Sequence, residues 1–217
     1  MKKILILLLS ALMLGGCAKK TPELAHRQAI SVIEGEDELI CEEYSRFTGA
    51  FPEDGSGRPV TDVAAIKVTN ASSKFLDYAL IQCDIGEDRV GKFKVTGLPA
   101  GKSAWVLEQD AMTITEGERF QARTCTDYAF RPDAITQTDR LSVTVEGNNV
   151  TVMNRSGQTL ENVCIYYKVC HNDGNYFGGF TPMLNFGTLP PGQGTRKQSA
   201  YFGEGAEIVR FSFQVVE

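Results

Sequence analysis

The sequence predicts an all-β protein: two tandem small Ig-like antiparallel β-sandwiches behind a signal peptide and a polar tether. Three observations predict it. Short β-branched or aromatic runs alternate with turn residues from about residue 38 to the end of the chain. No long helical period interrupts them after residue 38, and the one stretch open to a helical turn is 24–33. The chain also repeats itself. Asn70-Ala71-Ser72 and Asn154-Arg155-Ser156 stand at a constant offset of 84, each followed by a strand carrying Leu, an acidic residue and Ile. After a seven-residue insertion, Leu98-Pro99-Ala100-Gly101 matches Leu189-Pro190-Pro191-Gly192. Two landmarks in one order mark a duplicated unit.

The elements follow in order. Residues 1–16 read as a lipoprotein signal peptide and 17–37 as the modified N-terminus and tether. Repeat 1 spans 38–136, with strands expected at 65–69, 79–85, 90–96, 103–108 and 120–128. A long loop rich in Gly, Pro, Asp and Glu, Ser45 to Thr61, is expected between its first two strands. Repeat 2 spans 137–217, with strands expected at 141–145, 150–153, 163–169, 176–180, 195–202 and 208–216. Val163, Ile165 and Tyr167 alternate with Cys164, Tyr166 and Lys168, the period-two pattern of a sheet with one face on a core. Asp173-Gly174 is a hairpin-type turn.

At the N-terminus, Lys2 and Lys3 precede an apolar run, Ile4 to Leu9, that Ser10 to Met13 continue. The run is too short to span a bilayer and reads as an export signal. It ends in Leu14-Gly15-Gly16-Cys17, which resembles a bacterial lipobox. That resemblance implies a diacylglyceryl group on the Cys17 sulfur and cleavage after Gly16. Two acyl chains hold a protein on a membrane stably. The expected partner is therefore the membrane, through the lipid on Cys17, with the body facing outside the cytoplasm.

The 217 residues carry 22 Lys+Arg against 27 Asp+Glu, a formal charge of -5 that argues against nucleic acid as a partner. Beyond Cys17, the five cysteines (Cys41, Cys83, Cys125, Cys164, Cys170) are an odd number, so at least one is free or pairs between molecules. Cys83 falls on the apolar parity of its strand and reads as core; Cys41 and Cys125 are the bridge candidate.

The order of Asn-x-Ser turn, Leu/Ile strand, strand and Leu-Pro-x-Gly turn resembles the small Ig-like extracytoplasmic domains of the FxLYD type, which recur in bacterial lipoproteins. Phe75-Leu76-Asp77-Tyr78 is a scrambled form of the name-giving string. The resemblance implies an immunoglobulin-like sandwich, an envelope location and binding or structural roles. It brings no catalytic residues.

No catalytic group, metal site or cofactor is expected. Cys170 and His171 are adjacent on a strand, face opposite sides and cannot act on each other. The acidic clusters lack calcium-loop spacing and read as solvated faces. The Asn-x-Ser triplets read as turn stabilisers. Aromatics give the candidate binding surface: Tyr44, Phe47 and Phe51 in and beside the long loop of repeat 1, and Tyr176 and Phe177 beside Gly178-Gly179 in repeat 2. The competing reading of these five is core packing or contact between the repeats, and Trp105 reads as a packing residue. The expected function is a non-catalytic binding or scaffolding module for an envelope protein or polymer. The alternative is a small-molecule or ion-binding accessory component of a transporter.

Overall fold

The two Asn-x-Ser turns are built from the same hydrogen bonds. The Asn70 side-chain amide donates to the carbonyls of Lys74 at 2.8 Å and Leu98 at 2.9 Å, while its Oδ1 accepts from the N–H and hydroxyl of Ser72. Asn154 donates to Gln158 and Leu189, both at 2.8 Å, and accepts from Ser156 in the same way. Leu98 and Leu189 open the Leu-Pro-x-Gly turns, whose Gly101 and Gly192 N–H groups donate back to the Asn70 and Asn154 carbonyls. Both asparagines are fully buried. Each satisfies its polar atoms only by tying its own turn to the neighbouring one, so both landmarks must be present together.

These contacts are seen in a computed structural model that describes residues 23–132, 139–171 and 173–216. The strands are β1 (Glu23–Ile33), β2 (Leu39–Ala50), β3 (Pro59–Asn70), β4 (Phe75–Ile85), β5 (Arg89–Leu98), β6 (Ser103–Leu107) and β7 (Phe120–Arg131) in the first half. The second half has β8 (Leu141–Glu146), β9 (Asn149–Asn154), β10 (Leu160–Cys170), β11 (Tyr176–Phe177), β12 (Met183–Leu189), β13 (Gly194–Gln198) and β14 (Glu207–Val215). One helical turn, α1 (Ala200–Gly203), precedes β14. The fold is all-β.

The same six-strand plan occurs in both halves. In the first, β2-β3-β6 form one sheet and β5-β4-β7 the other. In the second, β8-β9-β13 answer the former, and β12, β10 and β14 the latter. Between the sheets of the first half lie Cys41, Ile66, Val68, Ile81, Cys83, Phe93 and Val95. Between those of the second lie Val150, Val152, Val163, Ile165, Tyr167 and Phe211.

The structure corrects several expectations. Residues 23–33, assigned above to the tether, form β1, which adds antiparallel to the edge of β2. The expected 45–61 loop is mostly strand: β2 continues to Ala50 and β3 begins at Pro59, leaving only 51–58 as loop. Polar residues there read as loop because β2 and β3 turn one face to solvent along part of their length. The hairpin across Asp173-Gly174 pairs β10 with 176–177 only at Val169–Phe177 and Cys170–Tyr176, and the long antiparallel partner of β10 is β12; Asn185 and Gly187 break the apolar pattern that would have marked it. The expected Cys41–Cys125 bridge is absent, and all five described cysteines are free. Cys83 is in the core as expected.

One strand has no counterpart. β11 lies in the seven-residue insertion, between β10 and β12, and bridges the halves, one edge pairing antiparallel with Val169 and Cys170 of β10. It pairs parallel with β6, Tyr176 opposite Ala104 and Phe177 opposite Trp105. The sheets of the two halves thereby become continuous through β6, β11 and β10.

Candidate functional site

The seam between the halves buries a carboxylate and an ammonium close together, and His171 with residues 173–182 builds it. This strap starts with a tight turn: the Asn175 carbonyl accepts from the His171 N–H, and Asp173 Oδ1 accepts from the Asn175 N–H at 3.0 Å. The other Asp173 oxygen accepts from the Trp105 indole at 3.2 Å, fixing the turn to repeat 1. Tyr176 and Phe177 then point to opposite faces of the β6 sheet, as successive strand residues must. Tyr176 enters the sandwich core. Its hydroxyl donates to Glu207 at 2.8 Å, and burial together with that carboxylate pushes the phenol pKa well up. Phe177 joins a small cluster on the outer face with Phe47, Phe51, Val63, Trp105 and Leu107.

The chain next passes Gly178-Gly179 against the sheet. A Cβ at Gly179 would sit 2.0 Å from the Lys94 carbonyl oxygen and 2.7 Å from Val106. Only glycine fits such a contact. At this point the Glu53 carboxylate, from the 51–58 loop, accepts from the N–H groups of Leu107 at 2.8 Å, Gly179 at 2.9 Å and Phe180 at 3.1 Å. Lys168 of β10 is 0% exposed, and its ammonium donates to the carbonyls of Gly178 (3.1 Å), Gly179 (2.9 Å) and Phe180 (3.2 Å). Burial lowers the Lys168 pKa to about 7, opposed by the Glu53 charge; burial likewise raises that of Glu53. Thr96 and Thr181 close the seam further on, the Thr181 hydroxyl donating to the Thr96 carbonyl at 2.6 Å.

Ion pairs complete it. Asp77 of repeat 1 is held by Arg131 and, across the seam, by Arg210 at 3.3 Å; the Arg210 guanidinium lies over the Tyr166 ring. Lys102 reaches Glu207 at 3.5 Å. Beside the Glu53 clasp opens a cleft of about 270 Å³, lined by Glu53, Lys94, Thr96, Leu107, Gln109 and Phe180. Phe180 is 50% exposed, so its ring is free at the rim while its backbone is fixed. Cation, amide, hydroxyl and ring together suit a small polar ligand or an extended side chain.

The expected aromatic surface is therefore corrected. Tyr44, Phe47, Phe51 and Tyr176 are all buried, and Phe177 is half-buried. The structure brings the two groups together instead: Phe47 meets Phe177 with ring centroids 5.0 Å apart, and Tyr44 and Tyr176 share the sandwich core. Tyr176 and Phe177 cross to the first half, whereas Tyr44, stacked on Phe120, and Phe51, under Arg58, pack within their own half. Sequence reasoning missed Glu53, Lys168 and Phe180. The signal for Lys168 was a lone cation in an apolar run, on a parity read as solvent-facing. Trp105 packs as expected. Cys17 lies outside the described residues. Among the described residues no helix is long and apolar enough to cross a membrane, and no group of three or more His, Cys, Asp or Glu side chains is placed to hold a metal ion.

No family model matches the chain, and no curated protein matches it.

Proposed function

We propose that this protein is an extracytoplasmic, membrane-anchored bacterial lipoprotein that works as a non-catalytic binding or scaffolding module of the cell envelope. The anchor is the lipid on Cys17, inferred from the Leu14-Gly15-Gly16-Cys17 box behind its apolar run. The observation that supports the binding role is the seam. Buried charge, a sterically required glycine and a strand exchanged between repeats all fix the backbone around one cleft, where Phe180 is left half exposed. A site held by rigid elements around an exposed aromatic is what recognition requires.

The test has two arms. Metabolic labelling with an alkyne-tagged fatty acid should mark the wild type and not Cys17→Ala. Cross-linked capture on the native cell should recover a protein or glycan over a lipid-only control, and Phe180→Ser should lose it without lowering the melting temperature. Recovery of the protein alone would count against scaffolding. The cleft itself favours the second reading, a small-ligand accessory component of a transporter. A ligand-induced rise in melting temperature that Phe180→Ser abolishes would support that reading.

A further inference from the structure

The strand register carries information about orientation, given the lipid anchor just proposed. Glu23, the first residue of β1, pairs with Arg46, near the end of β2. β1 therefore starts at one particular end of repeat 1. The same end carries the 51–58 loop, the 86–88 turn between β4 and β5, and the 109–119 segment before β7. They lie together: Gly86 donates to the Arg119 carbonyl, and Arg89 reaches the Thr113 carbonyl at 2.9 Å. The opposite end carries the 71–74 and 99–102 turns. Outside the strap, the ion pairs from repeat 2 reach that far end, Arg210 to Asp77 and Glu207 to Lys102.

Cys17 is six residues from Glu23. At ~3.3–3.6 Å per extended residue, the lipid lies within about 20 Å of the start of β1. From the Arg46 register where β1 starts, the near end at Ala50 is ~13 Å away and the far end at Leu39 ~23 Å, at ~3.3 Å per residue. The tether is thus too short to let the far end of repeat 1 reach the lipid surface.

We propose that on the anchored protein the 51–58, 86–88 and 109–119 segments face the lipid headgroups, while the 71–74 end and repeat 2 stand outward. Apart from Glu53, which turns into the seam, the facing segments carry Asp54, Glu87, Asp88, Asp110, Glu116 and Glu118 against Arg58 and Arg119. No large hydrophobic side chain is strongly exposed in them. This end has neither the apolar residues to insert nor the charge to adhere to anionic headgroups, so it stands off the surface. The body is held end-on by its lipid alone.

The experiment uses the full lipidated protein in phosphatidylcholine vesicles containing a headgroup-labelled energy acceptor. Cys170 is replaced by Ser throughout, and a donor dye is placed by Asp88→Cys, Ser73→Cys or Arg155→Cys. These are exposed positions in the near turn, the far turn and repeat 2. Energy transfer should be several-fold stronger from position 88 than from 73 or 155. A 20-residue Gly/Ser spacer inserted between positions 22 and 23 should erase the difference. Equal transfer from 88 and 73, or the reverse order, with the protein still on the vesicles, would overturn the orientation and leave the anchor standing. A protein of unlipidated mass that stays off the vesicles would overturn the anchor, and the orientation with it; mass spectrometry separates the two.

Discussion

Glu53 and Lys168 hold opposite polar ends of the same two peptide groups. In the Gly178–Gly179 and Gly179–Phe180 peptides, the N–H donates to Glu53 and the carbonyl accepts from Lys168. A carboxylate from repeat 1 and an ammonium from repeat 2 thus grip the strap between them. Removing one partner leaves the other as an uncompensated buried charge, at a cost of about 3–5 kcal/mol. Lys168→Met and Glu53→Ala should each lower urea stability on that scale. The double substitution should cost clearly less than the two losses added, because neither charge is then stranded. Additive losses would show that the two groups act independently.

The same pair predicts a pH dependence. Folded Lys168 titrates at about 7, whereas the unfolded side chain titrates near 10.5. Above pH 7 the unfolded chain holds a proton that the folded one has released, so stability rises with pH. The clean window ends near pH 8.5. Beyond it the buried thiols of Cys41 and Cys125, raised from 9.0 to about 11, ionise first in the unfolded chain and reverse the slope. Glu53 acts lower down: its folded pKa lies above 4.5, so across that interval its contribution falls as pH rises. Unfolding from pH 7 to ~8.5 should show a rise in the wild type that Lys168→Met removes.

Asn70 and Asn154 make matching sets of bonds. Asn→Ala at either removes both donors to the neighbouring carbonyls and the acceptor of the Ser N–H, and should cost about 2–4 kcal/mol, to a similar extent in the two repeats. Chemical denaturation of the two variants measures this. A large loss at one and none at the other would mean that the two turns are not equivalent.

Gly179→Ala should open the seam selectively. The added methyl meets the Lys94 carbonyl, a backbone atom that cannot swing away. Hydrogen exchange should quicken across 176–182, while the amides of β4, bonded on both sides by β5 and β7, keep their protection.

Thiol titration tests burial and modification together. Of the described cysteines, Cys41, Cys83, Cys125 and Cys164 are buried and Cys170 is half-buried. A thiol reagent should therefore reach Cys170 first in the native protein. After denaturation, the protein with the proposed lipid on Cys17 should give five thiols out of its six cysteines; six would overturn the anchor.

The all-β fold and the two matching Asn-x-Ser turns were legible because their signals are local. Asn70 and Ser72 bond within one turn, and Leu98-Pro99-Ala100-Gly101 closes another, so each leaves a short pattern that recurs. β1 was hidden because irregularities at Leu24/His26, Arg27/Ile30 and Ser31/Ile33 break its alternation, leaving its apolar residues without a period of two. The seam was hidden because it depends on which outer faces meet. Lys168 alternates correctly with Tyr167, and nothing in residues 163–170 reveals that its side of β10 lies against repeat 1. Glu53 stands beside Asp54 in one acidic turn; only the first is drawn inward, and the reason, the amide groups of Gly179 and Phe180, lies 126 and 127 positions away.

The parallel pairing of β11 with β6 also sets an order of events. β6 ends at Leu107, and the strand that covers its edge begins only at Tyr176. As the chain emerges N-terminus first, repeat 1 can collapse while that edge, and the outer cluster of Phe47, Phe51 and Trp105 beside it, still lack their cover. Unpaired edges beside apolar surface are where partly made chains stick to one another. A fragment ending before the strap should therefore be prone to self-association. The second repeat then serves the first as an intramolecular chaperone, arriving late and sealing it.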